Sequence, residues 1–445
     1  MIQSKLFTLC LCVTLLIGSA SVAVAQKKDK SNAVVPQTAP VTPYSNVRRD
    51  NLLNGLQIVT LDRQGDALVK CDLIIRGGAM FDLVGKTGLA ALTLESLMIV
   101  NPRVKEELES LNSKVEWGVT WDTTWLRIEA PTNNFGTALE IVARLLVVEN
   151  LRPEAFKNAQ NAQLAKVKAA KLSLSEQADA AFLKAIYDEH PYGHNLNGDA
   201  TTIAASNQGD AYNFFRRFYL ANNSSTVVVG NISHERVMQI FKVLFGGWVK
   251  GQIVPATFRQ PAQTAQTKLV KVSIPDAANV EVRGGLIGVK HTDADFLATQ
   301  TIAQLLTNRL NRQSGPTAQF SIKSEPRLLA GPLYFSASAT SDQAQAFSRR
   351  VTDAFASLLS SAVSAEELAA AKSALAMEYS ARPVEHNLRE IEMFLLPRNL
   401  PIEFGKKIEA ISAADIQRVA KRLFDANALT VVVVGKVNDG FKTGL

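Results

Sequence analysis

The sequence predicts an α+β protein made of two homologous halves, each a mixed or antiparallel sheet with helices packed on one face, together forming a clamshell. Three observations carry that expectation. The stretch Ala221-Asn222-Asn223-Ser224-Ser225-Thr226-Val227-Val228-Val229-Gly230 returns 205 residues later, without a gap, as Ala426-Asn427-Ala428-Leu429-Thr430-Val431-Val432-Val433-Val434-Gly435. The same offset lays Asp210, Arg217, Phe218 and Tyr219 on Asp415, Arg422, Leu423 and Phe424, so each copy reads as an amphipathic helix, a turn with Asn and a β-branched strand closed by Gly. Elsewhere strands come in mixed runs rather than alternating one by one with helices, which favours a sheet with helices on one face.

In chain order, residues 1–25 read as a secretory signal. Lys5 gives a positive start, Leu6 to Ile17 an apolar run too short for a spanning helix, and Ala23-Val24-Ala25 a small-residue cleavage site. Export follows as an expectation, with the periplasm as the compartment and no membrane span once the signal is removed. Residues 26–44, with Pro36, Pro40 and Pro43, read as a flexible tail. The N-terminal half spans 45–250. It holds strands at Gln57–Leu61, Leu68–Arg76, Lys114–Thr120 and Thr124–Ala130, then helices at Phe135–Val147 and from Glu154 onward. Residues 251–267, rich in Pro, Gln, Ala and Thr, read as a linker, and 268–441 as the C-terminal half.

Composition sets limits on function. At 445 residues, with 47% hydrophobic and 20% charged residues, the chain is an ordinary globular one of two or three domains. The net charge of +7 lies largely in the signal and tail, so the body is too weakly basic to argue for nucleic acid. Cys10 and Cys12 fall in the signal, which leaves Cys71 alone in the mature chain and excludes an internal disulfide. Its place in an apolar strand suits a packed thiol.

On this skeleton, particular residues resemble a known family. Asn54-Gly55-Leu56-Gln57-Ile58-Val59, Ile75-Arg76-Gly77-Gly78-Ala79, Gly85-Lys86-Thr87-Gly88-Leu89-Ala90, and His190-Pro191-Tyr192-Gly193 with Gly198 are similar to the opening strand, glycine turn, catalytic-helix entry and Pro-Tyr-Gly loop of the insulinase/pitrilysin-like metallopeptidases. Active members carry His-x-x-Glu-His on that helix. Two imidazoles four residues apart face one side and hold zinc, and the carboxylate between them activates a bound water. The resemblance puts Ala91 at the first His, Leu94 at the general base and Glu95 at the second His. Neither Ala nor Leu can ligate a metal or move a proton. A third, carboxylate ligand would lie on the helix after Glu154, yet residues 155–175 contain no acid, only Gln160 and Gln163. No His precedes His190, so a shifted alignment rescues nothing.

The resemblance therefore implies a non-catalytic subunit with no cofactor of its own, zinc belonging to active members. Its partners would be a catalytic relative with an intact zinc motif and a peptide or unfolded polypeptide. An active metallopeptidase with a divergent site, or a stand-alone envelope peptide-binding or scaffold protein, are the alternatives. Family members also place an Arg and a Tyr after the helix matching Phe296–Leu310 to grip substrate; Arg312 is the candidate here, and Phe320 stands where the Tyr is wanted. Of the five histidines, His190 and His194 have ligand-like spacing only on a helix, which Pro191 and Gly193 oppose, and His234, His291 and His386 are isolated. Glu106, Glu107 and Glu109 read as a solvated helix face, and Trp117, Trp121 and Trp125 as packing or cleft-lining residues of a hairpin.

Overall fold

The structure is a computed structural model that describes residues 42–437 and 441, apart from 100–102, 148–150, 315–319, 425–428, 438–440 and six positions between 256 and 265. The signal, most of the tail, the Asn turn of the second repeat copy and part of the Arg312–Phe320 segment lie outside the described residues.

The first half runs β1 (Val47–Asn51), β2 (Gln57–Asp62), β3 (Leu68–Ile75), α1 (Leu89–Met98), α2 (Val104–Ser110), β4 (Lys114–Val119) and β5 (Thr124–Pro131). It continues through α3 (Phe135–Val147), α4 (Pro153–Ala169), α5 (Leu174–Tyr187), α6 (Ala200–Ala205), α7 (Gln208–Phe218), β6 (Ser224–Gly230) and α8 (His234–Phe245). The second half has β7 (Lys268–Ser273), β8 (Val280–Ile287), α9 (Phe296–Ser314), β9 (Ser321–Ser324) and β10 (Pro332–Ala339). Then come α10 (Ser341–Ser360), α11 (Ala365–Ala381), α12 (Val384–Phe394), α13 (Leu400–Glu409), α14 (Ala413–Leu423) and β11 (Thr430–Gly435).

The sheets are ordered β1-β2-β6-β3-β5-β4 and β7-β11-β8-β10-β9, so apart from β1 the two orders are the same. In each, the repeated valine strand pairs parallel to the opening strand and antiparallel to the next, as β6 does with β2 and β3 and β11 with β7 and β8. The helices before those strands start alike. Asn207 and Asp210 form a capping box on α7, and Ser412 and Asp415 form one on α14. The 205-residue repeat is thus a repeat of structure, cap included.

Both faces of each valine strand are buried, which is why it reads as a continuous apolar run rather than an alternation. On one face of the first sheet, Ile58, Cys71, Leu73 and Val228 meet the helices of their own half. On the other, Val59, Leu61, Ile74, Val227 and Val229 meet Leu388 of α12, a helix of the second half. The second sheet is the mirror case. Its Ile287, Val432 and Val434 are covered by Ala178, Phe182, Ala185 and Ile186 of α5, from the first half. The apolar inner faces are therefore not left bare, because each half lends a helix to cover the other.

Two corrections concern extents. Residues 155–175 do not form one helix: α4 ends at Ala169, and Ser173 opens α5 with its own capping box to Glu176. The start of the linker is pinned rather than loose. Asn222 donates from Nδ2 to the Gly251 carbonyl (2.8 Å) and accepts at Oδ1 from the Gly251 N–H (3.0 Å), and Phe258 packs its ring 5.5 Å from Phe81.

Candidate functional site

Entry to α1 is set by a buried aspartate. Asp82 accepts from the N–H groups of Gly88 (2.7 Å) and Ala90 (2.8 Å), holding the first turn of the helix. Burial pushes its carboxyl up to about 7, against the pull of those N–H donors. Gly88 has φ +89°, and a Cβ there would stand 2.6 Å from the Asn197 carbonyl carbon and oxygen; a Cβ on Gly198 (φ +70°) would stand 2.1 Å from the Thr87 carbonyl oxygen. The two glycine motifs that carry the family resemblance are therefore one packed contact, fastened by the Thr87 and Thr202 hydroxyls at 3.0 Å.

Within α1, Ala91 and Leu94 are buried, Leu94 to 1% exposure. Glu95 is half-buried and accepts at Oε1 from the Trp117 indole N–H of β4 (3.1 Å). From α4, Gln163 donates through Nε2 to the Asn197 carbonyl (2.7 Å) and the Gly88 carbonyl (3.3 Å). Gln160 donates through Nε2 to the carbonyls of Ile203 (2.9 Å) and Ser206 (2.8 Å), and accepts at Oε1 from Lys157 (3.1 Å). These amides tie α4 to the loops beside α1.

Zinc does not fit this set. Ala91 and Leu94 carry no donor atom, Glu95 brings one carboxylate, and the one atom left over, the buried and unpartnered Oε1 of Gln163, is a neutral amide oxygen. Among the described residues no three or more His, Cys, Asp or Glu side chains converge on a point.

The histidines are dispersed and individually engaged. His190 starts a single turn at Pro191–Gly193 and accepts at Nδ1 from the Tyr192 N–H (3.2 Å). His234 Nδ1 lies 2.8 Å from the Thr60 hydroxyl, and His386 Nδ1 3.1 Å from Arg389. His194 borders a cavity of about 620 Å³ beside α5, and burial lowers its pKa. Cys71 is fully buried against the Thr226 hydroxyl, its thiol pushed up to about 12 by burial, so it is a packed thiol. Glu106, Glu107 and Glu109 lie on the exposed face of α2.

The tryptophans divide. Trp117 holds Glu95, while Trp121 joins a clamp between the halves that the sequence did not disclose. The Tyr192 hydroxyl donates to Asp122 Oδ1 (2.5 Å) and accepts from the Leu329 N–H (3.1 Å), and the Arg327 guanidinium lies 3.6 Å from the Trp121 ring centre. The sequence signal was the Pro-Tyr-Gly loop itself, but its partner, the segment before β10, is 135 residues away in the other half.

Arg312 is 56% exposed on α9 and lies 3.5 Å from Glu367; Phe320 is buried, its ring 5.0 Å from Phe347. The two are not brought together as a gripping pair. Instead, α9 closes the outer edge of the second sheet. Asn311 bonds both the N–H and the carbonyl of Phe320, Thr307 bonds both of Ile322, and Gln300 donates to the carbonyl of Ser324. The corresponding edge strand of the first sheet is β4. It pairs with β5 on one side.

Comparisons with known proteins agree with this architecture. A family model described as the peptidase M16 inactive domain matches residues 207–375. The β subunit of the mitochondrial-processing peptidase of Blastocladiella emersonii is 21% identical over 435 residues, 92% of each chain. An uncharacterized zinc protease of Rickettsia bellii is 22% identical over 213 residues, 46% of this chain and 52% of that one, so that match spans about half of the relative. Among solved structures, a peptidase M16 inactive domain from Pseudomonas fluorescens superposes with a TM-score of 0.79 at 19% identity, over 88% of this chain and 99% of that one. The periplasmic protease PqqL of Escherichia coli gives 0.75 at 16% identity, over 89% of this chain and 48% of that one. At such identities these structures share the fold.

Proposed function

We propose that this chain is a member of the M16 peptidases, the insulinase/pitrilysin-like metallopeptidase family, without the His-x-x-Glu-His motif, and that it is an exported, non-catalytic subunit handling peptide or unfolded polypeptide beside a zinc-bearing relative. One observation carries the reading: at the position of the metal helix the chain has Ala91, Leu94 and a Glu95 engaged with Trp117, and at that of the third ligand it has amides spent on loop carbonyls. In this reading zinc is absent and no hydrolysis is catalysed by the chain alone.

The subunit role is supported by the name of the Blastocladiella relative, which is one subunit of a processing peptidase and aligns over nearly its whole length. Peptide handling is supported by β4, an edge strand whose main chain could add an extended segment as a further strand. Export, with the periplasm as compartment, is supported by the pattern of residues 1–25. Arg312, with more than half its side chain in solvent, is a candidate peptide contact.

A second reading, a stand-alone binder or scaffold, is favoured by the exchanged helices, since α5 and α12 already cover the inner faces that would otherwise call for a partner. Co-expression with a relative that keeps His-x-x-Glu-His separates the two. The subunit reading expects a joint peak in size-exclusion chromatography and peptidase activity that needs the relative and is raised by this chain. A monomer at micromolar concentration, with the relative fully active alone, would instead establish the stand-alone reading.

A further inference from the structure

The second half holds a cavity of about 670 Å³ between α9, β9, α11, α12 and α13. By chain order and sheet position these elements correspond to α1, β4, α4, α5 and α6, the surroundings of the missing metal centre. Where the first half sets Ala91, Leu94 and the α4 amides, the second half encloses this cavity. A volume of this size lies within the range of ligand sites.

The walls are aromatic. The His291 ring lies between Phe296 and Phe394, with centroids at 4.8 and 4.3 Å, and Tyr379 stacks on Phe404 at 3.7 Å. Two residues on these walls, His291 and Tyr379, are more than nine-tenths buried. His291, 7% exposed, has Nδ1 without a hydrogen bond. Tyr379, 8% exposed, has a hydroxyl with no hydrogen bond to a described residue. His291 Nε2 faces Glu390 Oε1 at 3.3 Å on the cavity wall, while its Nδ1 is buried.

The charges tell which ligand would satisfy this lining. Glu325, Glu378 and Glu390 border the cavity, against Lys323, Arg382 and the titratable His386. Arg382 is already paired with Glu378 (2.8 Å) and lies 3.6 Å from Glu390. Glu390 stays ionised: burial works against it, but His291 and Arg382 hold its carboxyl below the usual range. Among the described residues, three carboxylates thus face the cavity against one unpaired cation, Lys323, and the aromatic faces favour a cation. Strand addition is closed off here, because α9 side chains occupy the outer main-chain groups of Phe320, Ile322 and Ser324. A ligand must enter side chain first.

We propose that this cavity binds a basic side chain, Arg or Lys, of a peptide or unfolded polypeptide. The proposal rests on the peptide-handling part of the function above and adds where and by what chemistry one side chain is read.

Fluorescence anisotropy on the full mature chain tests it, with a labelled Gly-Ser-Ala peptide carrying one arginine and the same peptide carrying citrulline. The arginine peptide is expected to bind at least about tenfold more tightly, the lower end of what one hydrogen-bonded charge pair contributes. Glu390→Gln is expected to remove that preference, Tyr379→Phe to reduce it, and Glu106→Gln on the exposed face of α2 to leave it unchanged. If Glu390→Gln fails to fold, Glu378→Gln, at a more exposed position, carries the same expectation. Equal binding of the two peptides, or an arginine preference that survives both Glu substitutions, overturns the cavity assignment while peptide handling stands. Binding of neither peptide overturns both.

Discussion

At the scale of single residues, the stakes concentrate in a few buried polar groups. Tyr192 illustrates it: its hydroxyl donates to Asp122 Oδ1 and accepts from the Leu329 N–H, one from each half. Tyr192→Phe leaves Asp122 Oδ1 and the Leu329 N–H without this partner, Oδ2 keeping the Leu328 N–H, and is expected to cost about 1–3 kcal/mol in urea unfolding. An unchanged midpoint would show that the clamp contributes nothing. Asp72 and Asp82 set the pH behaviour. Burial raises Asp72 to about 6, in spite of Arg127 at 2.9 Å, and Asp82 to about 7. Both exceed the ordinary value of 3.8, so between about pH 7 and 4 the folded chain binds more protons than the unfolded one, and these two groups make it more stable as pH falls through that window. Asp293, Asp295 and Glu367 act in the opposite sense: arginine bonds hold them low, and their contribution is lost as pH drops below about 4. Urea midpoints are therefore expected to be higher near pH 5 than near pH 8 and to fall steeply below 4; a steady decline from 8 to 5 contradicts the assignment. None of this was legible beforehand, because a carboxylate's burial depends on what covers it, and the sequence names no cover.

At the scale of elements, legibility followed periodicity. The strands from Gln57 to Pro131 were found within about two residues, because β-branched alternation is local, and Gln160 and Gln163 were rightly placed on a helix after Glu154. The repeat located β6 and β11. What stayed hidden is what covers the second face of each: an all-apolar strand announces that both faces are buried but not by which helix. The answer differs between halves. The α5 dock is mainly apolar, with Phe182 against the second sheet. The α12 dock sets Leu388 among ion pairs, Lys70–Glu385 at 2.7 Å and Asp72–Arg389 at 3.3 Å. Leu388→Ala is expected to cost about 2–5 kcal/mol and, although it lies in the second half, to speed hydrogen exchange in Val227–Val229 of the first. Loss of protection confined to the second half would contradict the exchange of covers.

For the whole molecule, the sequence disclosed the fold, and the absence of a His-x-x-Glu-His motif is visible without coordinates. It did not disclose that Glu95 is engaged by Trp117 and Gln163 by loop carbonyls, nor that the corresponding elements of the second half enclose a cavity, because both depend on contacts between distant segments. The central claim is that a metallopeptidase fold here persists without its metal. Metal analysis of the purified mature chain, after incubation with zinc and desalting, tests that claim most directly. The account expects no stoichiometric zinc, because Ala91, Leu94 and Glu95 with Gln160 and Gln163 cannot form a tetrahedral site. One zinc per chain, retained through desalting and released by a chelator, would contradict it.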